Sequence, residues 1–152
     1  MIVTLKQTKD KGKGVFASRK IEIGETVIIG EIEQELSENH SHASQIDSNR
    51  FVLHNKTIRM VNHSCNPNCG IEVNETGAHN FVAIRQINQD EEITFDYAMR
   101  NYTVDFFPYT CQCNAINCRG TITGWKDLPA SLKLKYKKYT APYLLEMDLV
   151  PQ

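Results

Sequence analysis

The stretch Arg59-Met60-Val61-Asn62-His63-Ser64-Cys65-Asn66-Pro67-Asn68-Cys69 stands near the middle of the chain, and Cys111-Gln112-Cys113-Asn114-Ala115-Ile116-Asn117-Cys118-Arg119-Gly120 near its end. Three thiolates this close can hold three corners of a tetrahedral Zn²⁺ and leave the fourth open, whereas a structural zinc site wants four protein ligands. Cys65, in the Asn-His-Ser-Cys segment, is an obvious donor for that corner. Cys65, Cys111, Cys113 and Cys118 are therefore the candidate metal ligands. A shared ion would tie the late segment to the middle of the chain. Other readings stand beside this one: buried apolar or redox cysteines, and a disulfide framework. The framework fits poorly. Five cysteines are an odd count, and the stretch from Met1 to Gly14 carries Lys6, Lys9, Lys11 and Lys13 without the apolar run of a secretory leader. Cys69 is left over and is expected to be packed.

Composition sets the wider bounds. A chain of 152 residues suffices for one domain, which buries about 68–70 % of its unfolded surface. Hydrophobic residues make up 41 % and charged residues 23 %, ordinary values for a soluble globular protein. The net charge of −1 argues against a broad nucleic-acid footprint, which would need a clearly basic domain, so no direct nucleic-acid binding is expected. No stretch approaches the ~20 apolar residues of a membrane span. The expectation is an intracellular protein of a reducing compartment, cytoplasm or nucleus, with no membrane partner. Oligomeric state is left open, since Tyr136, Tyr139 and Tyr143 suit packing inward or against a second subunit.

Short strands dominate the pattern. Ile2–Leu5 and Gly14–Ala17 flank a Lys/Gly turn, and Thr26–Ile29 is β-branched. Residues 34–50 are polar and rich in Ser, Asn and His, and read as a loop or weak insertion. Phe51–Leu53 and Thr57–Met60 read as a strand pair, and Asn80–Arg85 and Glu92–Phe95 as further strands joined by a turn at Asn88-Gln89-Asp90. A late helix is expected, with Asp127 as its cap, Pro129 in its first turn and Leu132, Leu134 and Tyr136 inside it. A second short helix is expected over Pro142–Met147. There is no internal repeat. The fold class read from this pattern is mainly β with short helices, small sheets and a helical C-terminal tail.

Four motifs follow one another: Lys11-Gly12-Lys13-Gly14-Val15-Phe16; Arg59 to Asn68; Glu91-Glu92-Ile93-Thr94-Phe95-Asp96-Tyr97; and Cys111-x-Cys113-x₄-Cys118-Arg119-Gly120. Each alone is weak. In this order and spacing they closely resemble the SET-domain protein lysine methyltransferases with a post-SET zinc segment. The resemblance spans Lys9 to Gly120 and includes no long pre-SET region, so a compact, stand-alone member is expected. It implies a SET-domain fold, small curved β-sheets around a knot-like crossing. A SET catalytic domain over 1–105, a post-SET zinc-binding segment over 106–122 and a C-terminal helical tail over 123–152 are expected. It implies S-adenosylmethionine on one face, a lysine-bearing protein or peptide (a histone tail among the candidates) on the other, a channel between, and one structural Zn²⁺. Gly12, Lys13 and Gly14 match the family's cofactor turn. Asn62 and His63 match its pair on the amino-acid and adenine parts of the cofactor, Arg59 matches as well, and Gln112 sits where the tail covers the adenine. Tyr97 falls at the catalytic position, shared by cofactor site and substrate channel. Phe95 falls at the position that sets product multiplicity, where phenylalanine implies di- or trimethylation.

The chemistry gives these residues physical work. Methyl transfer from a sulfonium to an amine is an in-line displacement, and holding both reactants in line lowers the barrier by several kcal/mol. Lysine has a reference pKa near 10.4, so roughly one in 2,500 is neutral at pH 7, a deficit of about 4.6 kcal/mol. Only the neutral amine is a nucleophile. A dry channel beside a sulfonium disfavours the ammonium by desolvation and like-charge repulsion. A tyrosine hydroxyl then orients the lone pair; with its own pKa near 10 it is a poor general base. Many family members carry an aromatic-x-Gly-Glu stretch after the first strands, and here it reads Ile28-Ile29-Gly30-Glu31, with Trp125 or Phe107 as candidate replacements for the aromatic. Two further readings remain beside the enzyme: a SET-like zinc- and peptide-binding module without turnover, and a zinc adaptor that binds no cofactor.

Overall fold

In the computed structural model the described residues are 2–9, 11–40, 42–104 and 110–149. Strands β1 (Val3–Gln7) and β2 (Lys13–Ala17) form an antiparallel hairpin with Val3 opposite Ala17 and Gln7 opposite Lys13. Gly12 turns the chain at φ 73°, a left-handed conformation that glycine adopts without a Cβ penalty. Val15 and Ala17 share one face of β2 and are buried there, Phe16 on the other face is half-buried, and Lys13 is exposed where the strand leaves the turn.

Strands β3 (Thr26–Ile28), β4 (Ile32–Leu36), β5 (Ser44–Asp47) and β6 (Arg50–His54) follow, then helix α1 (Lys56–Arg59) and strands β7 (Asn62–His63), β8 (Cys69–Val73), β9 (His79–Ala83) and β10 (Glu92–Phe95). They make three small sheets, ordered β1-β2-β10-β7, β3-β9-β8 and β4-β6-β5. The first positions the site. Strand β10 pairs antiparallel with β2 on one side and parallel with β7 on the other, with Thr94 opposite Asn62 and Phe95 opposite His63. The Asn68 side chain extends this junction. Its amide donates to the Glu92 carbonyl at 2.7 Å and its oxygen accepts from the Thr94 N–H at 2.9 Å, so a side chain satisfies backbone groups that a longer β7 would have paired.

Helices α2 (Ala130–Tyr136) and α3 (Pro142–Asp148) close the chain. Trp125, Tyr136, Tyr143 and Leu144 join Val15, Phe81, Ile93 and Phe95 in one apolar cluster. Full burial of such side chains contributes about 1.5–3 kcal/mol each, so the late segment is part of the core. Tyr136 and Tyr143 pack inward.

Several sequence expectations change. Residues 34–50 are not a loop: they supply most of β4 and β5, which flank β6 in a sheet of their own. Its buried polar residues find partners within the sheet and beyond it. The His54 ring meets Ser44 Oγ at 2.8 Å, and the Gln45 side chain accepts from the Tyr102 N–H at 3.3 Å. Thr57–Arg59 is helical rather than extended. Asp127 is not the cap of α2. It belongs to a 3₁₀ turn over Trp125–Asp127, and Pro129 occupies the cap position. Strands β7 and β8 are not among the strands expected from the sequence. Cys69 is fully buried in β8, and burial pushes its thiol well above the ordinary range.

Candidate active site and metal centre

The turn after Thr110 brings the late cysteines back to the middle of the chain. Thr110 bridges Thr121, and the Cys111 N–H donates to the Gly120 carbonyl at 2.9 Å. Asn114 at φ 59° and Gly120 at φ 77° supply the left-handed corners. The Sγ atoms of Cys65, Cys111, Cys113 and Cys118 lie within 4.8 Å of one another, and Cys65 and Cys111 stand 3.9 Å apart. A tetrahedral Zn²⁺ with Zn–S near 2.3 Å separates its sulfurs by about 3.8 Å. Donors surround the cluster as thiolates require. The Arg119 N–H reaches Cys65 Sγ and the Gly120 N–H reaches Cys118 Sγ, each at 3.4 Å. The residues fit a structural zinc ion.

His63 links this cluster to the strand junction. Its Nδ1 accepts from the Tyr97 N–H at 3.0 Å, which leaves the proton on Nε2, 3.5 Å from Cys65 Sγ. Burial holds His63 down at about 4, against the opposing pull of Asp96, so the ring is neutral at pH 7. Asp96 is fully buried and caps the 3₁₀ turn Tyr97–Met99 through the Ala98 N–H. Arg119 grips it bidentately at 2.7 and 2.9 Å, and the Tyr136 hydroxyl donates to it at 3.1 Å. Against a burial penalty, these bonds and the Asp96 charge raise the affinity of Arg119 for its proton. The cysteine segment is thus joined to the chain at two places, to Cys65 by its thiols and to the Tyr97 turn by the Arg119–Asp96 ion pair.

Two cavities meet at Tyr97. The first, about 200 Å³, is walled by Lys11, Asn62, His63, Tyr97, Cys111 and Gln112, among others. The second, about 20 Å³, is bounded by Ile58, Arg59, Val61, Phe95, Tyr97 and Arg100, with His42, Ala43 and Asn101. Desolvation pushes the Tyr97 hydroxyl up to about 12. The Tyr97 ring packs 5.1 Å from Phe95 and 5.1 Å from His63, centroid to centroid.

The sequence-expected residues divide between these places. Asn62, His63, Tyr97 and Gln112 line the first cavity together. Arg59 does not: it lines the second, with its guanidinium 3.6 Å from Glu33, because the one-turn α1 ends between it and Asn62. Lys13 contributes its carbonyl, which accepts from the Asn62 amide at 3.0 Å. Gly12 shapes the turn. A Cβ on Gly14 would sit 2.7 Å from a Glu92 carboxylate oxygen and 3.1 Å from the Asn62 amide nitrogen, so this glycine makes room for site side chains. The His63 ring is spent on internal bonds. Trp125 cannot replace the absent channel aromatic, since it is buried with its Nε1–H on Asp148 at 2.7 Å; Phe107 lies outside the described residues. Two contributors were missed. Lys11, 2.8 Å from Glu92, adjoins the glycine turn. Arg119 follows the last cysteine, and only the fold reveals its buried partner.

A family model described as SET domain matches residues 12–98, more than half of the chain. The chain belongs to the SET-domain family. It is 34 % identical over 141 residues to the Drosophila melanogaster histone-lysine N-methyltransferase Set2, covering 80 % of this chain and 6 % of that protein. It is 31 % identical over 142 residues to a Mycosarcoma maydis histone-lysine N-methyltransferase, H3 lysine-36 specific, covering 80 % of this chain and 14 % of that one. This SET-domain chain thus spans a small part of the length of the curated relatives it matches. A solved structure of KRYPTONITE in complex with mCHG DNA and SAH shares the fold at a TM-score of 0.61 and 24 % identity, over 79 % of this chain and 28 % of that one. Among the described residues no helix is long and apolar enough to cross a membrane.

Proposed function

We propose that this SET domain transfers a methyl group from S-adenosylmethionine to the side-chain amine of a lysine in a protein substrate. The observation that carries the reading is the position of Tyr97, which lines both a large cavity beside the cysteine cluster and a narrow one beside Phe95. The large cavity is the donor side. Lys11 lines it and pairs with Glu92 of an adjoining cavity, so that opposite charges are available to the cofactor's carboxylate and ammonium. Asn62 and His63 of β7 and Gln112 of the cysteine segment line it. Bound there, S-adenosylmethionine supplies the methyl group and leaves as a thioether when its C–S bond breaks.

The narrow cavity is the acceptor side. Tyr97 stays protonated across the neutral range, so it donates or accepts a hydrogen bond without acting as general base. It orients the amine while the ammonium proton leaves to water. Phe95, 2 % exposed, gives the acceptor side a wall without a hydroxyl, so a methylated amine can turn and accept again: di- and trimethylation follow. Cys65, Cys111, Cys113 and Cys118 would hold a zinc ion, which would fix residues 111–118 beside the donor cavity. The relatives named for histone lysines support a histone tail as the substrate. Labelled cofactor with a total protein extract, followed by mass spectrometry, tests this. Modified lysines carrying two or three methyls are expected. No transfer to any protein would refute the enzyme, and monomethyl product alone under excess enzyme would refute the multiplicity.

A further inference from the structure

We propose that the Arg100 guanidinium is a positioning charge that holds the incoming lysine amine in its uncharged form. The inference rests on the assignment of the narrow cavity as the acceptor side. Arg100 is 5 % exposed and lines that cavity. Its Cζ lies 4.8 Å from the centroid of the Phe95 ring and 5.4 Å from that of Phe81. Its Nε donates to His79 Nδ1 at 3.2 Å, while its Nη2 is buried without a partner.

Among the described residues no carboxylate neutralises it, and Arg100 enters no ion pair. The groups around it do not supply the missing charge. His79 in β9 is kept neutral by burial, and its backbone N–H rests on His54. From α1 comes Arg59, a second cation, with Glu33 3.6 Å away on its outer side. From α3 the Tyr143 hydroxyl donates to the Arg100 carbonyl. His42 lines the same cavity. Asp96, on the turn that carries Tyr97, is taken by Arg119, Tyr136 and the Ala98 N–H. Burial lowers Arg100 to about 10, which leaves it charged through the neutral range.

A fixed cation in a dry cavity disfavours a second one. An ammonium entering beside Phe95 therefore loses its proton to water. The freed nitrogen lone pair forms the bond to the methyl carbon, and the electron pair of the C–S bond stays with sulfur. The cost of an uncompensated buried charge falls on the fold, and the uncharged amine is what that cost secures.

The test compares wild type, Arg100→Met, Arg100→Lys and Arg100→Gln, the last retaining a donor toward His79. A peptide with a ¹³C-methyl monomethyl-lysine is bound together with S-adenosylhomocysteine, and its amine is titrated by NMR. Turnover is followed in parallel from pH 6 to pH 9. Removing the charge is expected to raise the titration of the bound amine by about one pH unit, with turnover about tenfold lower at pH 7 and converging on wild type at pH 9. Arg100→Lys, whose ammonium gives up its charge on burial more readily than a guanidinium, is expected to fall between wild type and Arg100→Met. An amine that titrates at the same pH in wild type and Arg100→Met, or turnover reduced by one factor at every pH, overturns the proposal. Should Arg100→Met fail to fold, Arg100→Gln decides by the same readings. A wild type that binds no cofactor and methylates no lysine overturns the functional reading, and this proposal with it.

Discussion

The two cavities that share Tyr97 are built by opposite means. The donor cavity is roomy, and its outer wall is a segment, residues 110–113, brought there by four thiols and the Asp96–Arg119 pair. The acceptor cavity is narrow and sunk into the core, walled by side chains of α1, β10 and the turn after it. One wall is held by the cysteine cluster and an ion pair, the other by packing. Damage to the metal centre should therefore open the donor side while the acceptor side persists, and damage to the core should do the reverse.

The largest expected effect lies where the walls meet. Tyr97→Phe removes the one hydroxyl common to both cavities and should lower turnover by about a hundredfold or more, while calorimetry finds S-adenosylhomocysteine affinity within a few-fold of wild type. Next comes the support behind the acceptor side. Burial, and then the charge of Arg100, hold His54 down at about 3, against about 6.5 in the unfolded chain. The unfolded state thus binds more protons between those values, and stability rises with pH. Acidification from pH 6.5 toward 3 is destabilising, by about 2 kcal/mol per such histidine at pH 5. Denaturant unfolding at pH 7 and pH 5 should show a smaller loss in His54→Asn than in wild type; equal losses would remove His54 from the account. A smaller effect is expected from the metal. Chelation, or Cys118→Ser, should weaken S-adenosylhomocysteine binding by about tenfold, and unchanged affinity would mean that the cysteine segment is no wall. Smallest in rate is Phe95→Tyr: the first methylation continues while mass spectrometry shows product shifted toward monomethyl-lysine.

The same contrast governs what the sequence could reveal. The convergence of residues on the first cavity was legible because they lie in short runs. Asn62-His63, the glycine pair and the spaced cysteines each sit in a short run, and the thiols converge as their spacing suggests. The acceptor side was largely hidden. Arg100 looks like any charged residue after a turn, and nothing local says that Phe81, Phe95 and His79 will enclose it. Arg59 sits beside Asn62 in sequence yet faces the other cavity, because one helical turn redirects the chain. The sheet β4-β6-β5 was missed for a related reason. Its buried polar side chains are satisfied by one another at Ser44 and His54 and by the Tyr102 backbone at Gln45, so the alternation that marks a half-buried strand is blurred there.

The central claim is that donor and acceptor approach Tyr97 from different cavities. A crystal structure with S-adenosylhomocysteine and a lysine peptide measures this directly. The account predicts the thioether sulfur in the cavity under Gln112, the lysine amine beside Phe95 and Arg100, and the Tyr97 hydroxyl within hydrogen-bonding distance of the amine. Both ligands entering one cavity, or an amine remote from Tyr97, would contradict it.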